Sequence, residues 1–167
     1  MLESFSNDSF AIVAWLALFP VTYLAHITEE YWAGGGYSKY LLTNYSVELS
    51  PQRFLLLQGF GLFLMALGIV LGILLRFPLT MMAMLSSIVL GNAMVHSVRS
   101  INGRGYTPGL FTAVLLWLPL GAISLLVVWP LTSAGKFALA LGVGVATNCV
   151  VEVITMRSRK GGMKDEG

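Results

Sequence analysis

Phe10-Ala11-Ile12-Val13-Ala14-Trp15-Leu16-Ala17-Leu18-Phe19-Pro20-Val21-Thr22-Tyr23-Leu24-Ala25 is almost unbroken hydrocarbon, and His26-Ile27-Thr28-Glu29-Glu30 follows directly. A bilayer core about 30 Å thick takes roughly 20 apolar residues in a helix, and this run supplies most of one span. The imidazole and the two carboxylates at its end are three and four residues apart, so a helix gathers them on one side. Ionisable groups at a membrane segment are costly and usually face a protein interior, a cavity or the interface. The junction therefore predicts an acid–base or metal-binding cluster at the edge of a bilayer.

The rest of the chain agrees with a membrane setting. Of its 167 residues 56% are hydrophobic and only 11% charged, against about 25% charged in a soluble domain; mean hydropathy is +0.78. The reading is all-α: a polytopic bundle of five transmembrane helices in a single domain, residues 1–156, followed by a polar and disordered tail, 157–167. The first residues carry Glu3 and Asp8 and no Lys or Arg. A cleaved signal peptide starts with positive charge, so the first span is expected to be retained. Cys149 is the single cysteine, which excludes an internal disulfide and a thiolate cluster within the chain. A net charge of +2 with no basic patch excludes nucleic acid as a partner.

Five segments qualify as spans: Phe10–Ile27 (continuing through the motif to Trp32), Phe54–Leu75, Leu79–Val98, Pro108–Val128 and Phe137–Ile154. Ser50-Pro51 and Thr107-Pro108 open the second and fourth with a capping hydroxyl and a proline. Arg76-Phe77-Pro78 is a tight turn between the second and third. Gly34-Gly35-Gly36 breaks the first helix, and Tyr37, Lys39, Tyr40, Leu41, Leu42 and Tyr45 then suit a short helix lying on the membrane surface. An odd number of spans puts the termini on opposite sides. The loop after span one has Lys39 and Arg53, the loop after span three has Arg99 and Arg104, and the tail has four more, together eight of the ten basic residues. The positive-inside rule then gives N-terminus out and C-terminus in, with the bacterial cytoplasmic membrane as the expected location.

That topology collects polar side chains on one side. His26, Glu29 and Glu30 end span one, Asn92 and His96 end span three, and Tyr106, Thr107 and Thr112 begin span four. Asn148 and Glu152 end span five, and Gln58 is one turn into span two. Most of these fall within roughly 10 Å of the cytoplasmic edge at about 1.5 Å per residue. Taken singly, each has an ordinary explanation: Glu29 and Glu30 as solvated helix-end charges, His96 as a hydrogen bond to a neighbouring helix, Glu152 as a partner of Arg157. Asn92, Asn148 and Gln58 would be interhelical glue. Gly68-x-x-x-Gly72 reads as close helix packing, Pro119 as a kink, and Trp15, Trp117 and Trp129 as membrane aromatics. Convergence from four spans at one depth weighs against the separate explanations.

Three motifs then carry a resemblance. H-x-x-E-E is His26-Ile27-Thr28-Glu29-Glu30, N-x-x-x-H is Asn92-Ala93-Met94-Val95-His96, and Y-x-P-G-x-x-T is Tyr106-Thr107-Pro108-Gly109-Leu110-Phe111-Thr112. Intact and in this order, they resemble the HXXEE family of small, mostly bacterial integral membrane proteins of unknown function. The resemblance implies an enzyme-like polar set but no substrate or reaction. Glu152 and Asn148 come from topology alone.

His and carboxylate donors suit Fe, Mn and Zn. In a metal reading the ligands come from His26, Glu29, Glu30, His96 and Glu152, oriented by Asn92 and Tyr106, with a divalent ion such as Zn or Fe as cofactor. In a metal-free reading Glu29 or Glu30 is the base and His96 the acid, and free N–H groups at Thr107-Pro108-Gly109 stabilise an anion. Asn92, Tyr106, Thr112 and Glu152 complete the candidate site in either case. The expected function is an enzyme acting on a lipid or isoprenoid-like substrate, or another hydrophobic small molecule, that enters from the bilayer. A transporter needs polar access from both sides and often shows internal repeats; neither is visible. The alternative function is a structural or accessory membrane subunit, although such a subunit would not need two histidines and three acids in one layer; a small ion or metal transporter comes after it.

Overall fold

Once its backbone leaves water, a chain this apolar must satisfy every N–H and C=O internally, and helices do so within one segment. The computed structural model describes residues 2–103 and 105–157, and the side chains of 10–103 and 105–155. Its elements are α1 (Leu2–Trp32), α2 (Tyr37–Tyr45), α3 (Pro51–Leu74), α4 (Pro78–Gly103), α5 (Leu110–Thr112), a π-helical turn (Ala113–Trp117), α6 (Leu118–Val128) and α7 (Ala134–Arg157). No strand occurs among the described residues. Five stretches are long and apolar enough to cross a membrane: Phe10–Gly35, Pro51–Leu74, Pro78–Gly103, Leu110–Leu131 and Ala134–Thr155. The third runs past the expected Val98 to Gly103, which brings Arg99 into the helix. Arg104 and residues 158–167 lie outside the described residues, and with them all of the expected tail but Arg157.

The second span opens as expected, whereas the fourth begins at Leu110 after Gly109 and not with a Thr107 cap. Ser50 Oγ accepts from Arg53 N at 3.3 Å, with Pro51 at the first helical position. The turn before α4 closes with Phe77 N donating to Gly72 O at 2.8 Å. Gly36, at φ +88°, brings the chain so close to α1 that a β-carbon there would lie 2.7 Å from Tyr31 O; no other residue fits that corner.

α4 is the organising helix. It packs against α7, α6, α3 and α1, and it is both the least apolar of the five and the most buried. Helices in lipid associate without a hydrophobic drive, through close packing and polar contacts, so the most polar span belongs in the middle. Small residues permit close approach: β-carbons on Gly68 and Gly72 of α3 would lie 3.2 Å and 2.9 Å from Met81, the packing expected of that pair. Asn148 donates across to Ile88 O at 3.0 Å and back to Gly144 O at 2.9 Å. Leu16, Phe19, Met82, Leu85, Val89 and Trp117 fill the main core. α2 anchors a second, smaller cluster, with Tyr37 and Leu41 buried against Val47, Leu49 and Phe54.

Candidate functional site

His26 and Glu30 are one turn apart on α1 and His96 is near the end of α4, so the site straddles the α1–α4 contact beside α2. The three residues are 1%, 3% and 2% exposed. One ligand-capable atom from each lies within 4.8 Å of the others. Glu30 Oε1 is 3.7 Å from His26 Nε2 and 3.3 Å from His96 Nε2. The rings of His26 and His96 meet edge to face at 5.0 Å. The other Glu30 oxygen accepts from Gln58 Nε2 at 2.8 Å, and Gln58 Oε1 accepts from Tyr23 OH at 2.6 Å. This leaves Oε1 for the two imidazoles. His26 Nε2 has no hydrogen-bond partner.

Glu29 points elsewhere. It is three residues after His26, not four, and faces the start of the fourth span. Its Oε1 accepts from Phe111 N at 3.0 Å and Tyr106 OH at 2.5 Å, and its Oε2 from Thr112 N at 2.7 Å and Thr112 Oγ1 at 2.5 Å. These four donors occupy the roughly four lone-pair positions of a carboxylate, so no ligand capacity remains, and Glu29 leaves the set of metal donors. The expected anion site at Thr107-Pro108-Gly109 changes for the same reason: the open N–H groups beyond it already hold an anion, the Glu29 carboxylate. Burial, and then the bond to Glu29, push the Tyr106 phenol up, so it stays a donor.

Glu152 is not brought to the cluster either. It pairs with Arg99 Nη2 at 2.7 Å, and Arg99 also donates to Tyr37 OH. Arg99, expected from the sequence to be a loop charge, is 8% exposed and needs that carboxylate inside the bundle. Burial pushes the Tyr37 phenol up, against the opposing pull of Arg99. Asn92 is one turn before His96 with its Oδ1 buried and unpartnered. Thr112 joins the site through His26 Nδ1, 2.8 Å from its hydroxyl.

Four residues outside the expected donor and acid–base set also shape the site. Trp117 covers a face of His26 at 3.8 Å between ring centres and is 1% exposed; it is far more than a membrane aromatic. It ends the π turn just ahead of Pro119, and such wide turns accommodate a helix proline. Gly109, at φ +92°, would place a β-carbon 2.7 Å from His26, 2.9 Å from Glu30 and 2.9 Å from His96. Gln58 and Tyr23 orient Glu30; a glutamine in an apolar span was the available clue. A cavity of about 230 Å³ adjoins Glu30, walled by Tyr31, Gly36, Tyr37 and Phe54.

A family model described as "Protein of unknown function with HXXEE motif" matches residues 17–124. The chain belongs to the HXXEE family. The matched region holds His26, Glu30, Gln58, His96, Gly109, Thr112 and Trp117, and stops before Asn148 and Glu152. No curated protein and no solved structure matches the chain.

Chemically, two imidazoles and one carboxylate converge in a buried place. Two ligands of a tetrahedral zinc ion, each about 2.0–2.1 Å from it, are roughly 3.3 Å apart, close to the 3.3 Å and 3.7 Å separations at Glu30 Oε1. An orphaned buried nitrogen is costly, and a cation would satisfy it.

Proposed function

We propose that this protein is a membrane enzyme whose His26, Glu30 and His96 side chains hold a divalent metal, Zn or Fe, and that it acts on a lipid or isoprenoid-like substrate. The observation that carries the reading is the trio itself: three buried donors within 4.8 Å of one another, one of them an unpartnered nitrogen. Three protein ligands of the His₂Glu type leave a coordination position for water or substrate, as catalytic rather than structural sites do. A metal there would polarise a substrate oxygen or activate a bound water. The aromatic-walled cavity beside Glu30 supports an amphiphilic substrate. The 3.3 Å Glu30–His96 contact favours a second reading, in which these two groups work without metal as base and acid.

The test offers membrane lipids of the source cell to the purified protein in bilayers and follows them by mass spectrometry. The expected result is conversion of an amphiphile that a chelator stops, that added metal restores and that Glu30→Ala lacks. Conversion indifferent to chelator would favour the acid–base reading. Identical lipid profiles for wild type and Glu30→Ala would refute both.

A further inference from the structure

Glu29 has no place among the donors, yet it is tied to them through a single hydroxyl. Thr112 Oγ1 has one proton and three polar neighbours: Glu29 Oε2 at 2.5 Å, Gly109 O at 3.2 Å and His26 Nδ1 at 2.8 Å. A carbonyl oxygen can only accept. Three other donors, Phe111 N, Thr112 N and Tyr106 OH, hold the Glu29 carboxylate in its ionised form, and an ionised carboxylate only accepts. If the Thr112 proton turned away from Glu29, two bare oxygens would face each other at 2.5 Å. The proton therefore lies toward Glu29, and the Thr112 oxygen can meet His26 Nδ1 only as an acceptor. The ring must bring the proton to that contact itself, as Nδ1–H. Nε2, the nitrogen aimed at Glu30 and His96, is then left with its lone pair.

We propose that Glu29, acting through the Thr112 hydroxyl, is a positioning residue that fixes His26 as the Nδ1–H tautomer and so presents the Nε2 lone pair to the space shared with Glu30 and His96. The inference rests on the metal reading for its functional consequence, but the tautomer itself does not need a metal. Partners on the far nitrogen of a metal-ligating histidine set its tautomer and orientation and tune its affinity. Here the partner is a hydroxyl held by a carboxylate, itself anchored at the entrance of the fourth span. Glu29, Thr112 and Tyr106 thereby act as one relay. Tyr106 and the two N–H groups hold the carboxylate, the carboxylate orders the hydroxyl, and the hydroxyl orders the ring.

The experiment uses the full chain, metal-free and labelled with ¹⁵N-histidine, in detergent micelles at a pH where both rings are neutral. Two-bond proton–nitrogen correlations report which ring nitrogen carries the proton, and His96→Gln assigns the two rings. The wild type is expected to show His26 protonated at Nδ1. Thr112→Val should release that tautomer and Thr112→Ser should restore it. Zinc titration of the same samples should show binding about 10–100-fold weaker in Thr112→Val and near wild type in Thr112→Ser. Two results would overturn the proposal: a wild-type His26 protonated at Nε2, which needs no variant to observe, or a tautomer unchanged in folded Thr112→Val. An Nδ1–H ring released by Thr112→Val in a protein that binds no zinc would uphold the relay and contradict the metal reading instead.

Discussion

Two adjacent carboxylates divide the work at His26. Glu30 is a full turn after the histidine and turns inward with it; Glu29, one residue earlier, is rotated by about 100° and turns to the fourth span. The sequence places both on the right side of the helix but does not say which reaches His96, because that depends on where neighbouring helices lie. Both histidines were legible from their motifs. Trp117 was not, since a tryptophan within an apolar run looks the same facing lipid or facing an imidazole. Gly109 was legible only as a glycine after proline; its contact with all three members of the trio depends on the tertiary fold. Gly109→Ala is expected to cost about 1–2 kcal/mol for the left-handed backbone, and its new methyl would push into the trio. Thermal unfolding in detergent together with metal content checks this. Wild-type stability and metal content in the variant would show that Gly109 does not shape the site.

Among the elements, α2, α4 and α7 meet beside the site, where the Tyr37 and His96 rings are 6.0 Å apart. Their connection is the Arg99 guanidinium, between Tyr37 of α2 and Glu152 of α7. The break at Gly34–Gly36 and the short helix after it were readable from composition. The depth of Arg99 was not, because the last turns of α4 are polar enough to pass for a loop. Removing one partner of a fully buried ion pair costs roughly 3–5 kcal/mol. Glu152→Gln should cost less, because the Glu152 side chain is 34% exposed. Bound metal should persist in the folded variant, since Glu152 is paired outside the trio. A folded Glu152→Gln protein that had lost its metal would return Glu152 to the ligand set.

At the scale of the molecule, the five spanning-length helices were legible because hydrophobic runs of that length have few other uses. Which of them is central was not, since every run is apolar and only polar contacts and small residues decide neighbours in lipid. For orientation, the burial of Arg99 takes one charge from the expected cytoplasmic count and leaves seven basic residues there against Arg76 and Lys136 on the other side. We still expect the N-terminus outside and the C-terminus inside. In a Cys149→Ser background, Ser4→Cys and Gly162→Cys should label from opposite sides of sealed vesicles. Labelling of both from one side would contradict an odd number of spans.

On the proposed function, α1 and α4 build one metal centre from His26, Glu30 and His96. Elemental analysis of the purified protein, after equilibration with Zn, Fe or Mn and removal of excess, tests it most directly when wild type, His26→Ala, Glu30→Gln and His96→Ala are compared as folded samples. The expected result is about one tightly held ion per wild-type chain and its loss in each of the three variants. A wild-type protein that retains no ion under any of these conditions, or variants that retain as much as wild type, would contradict it.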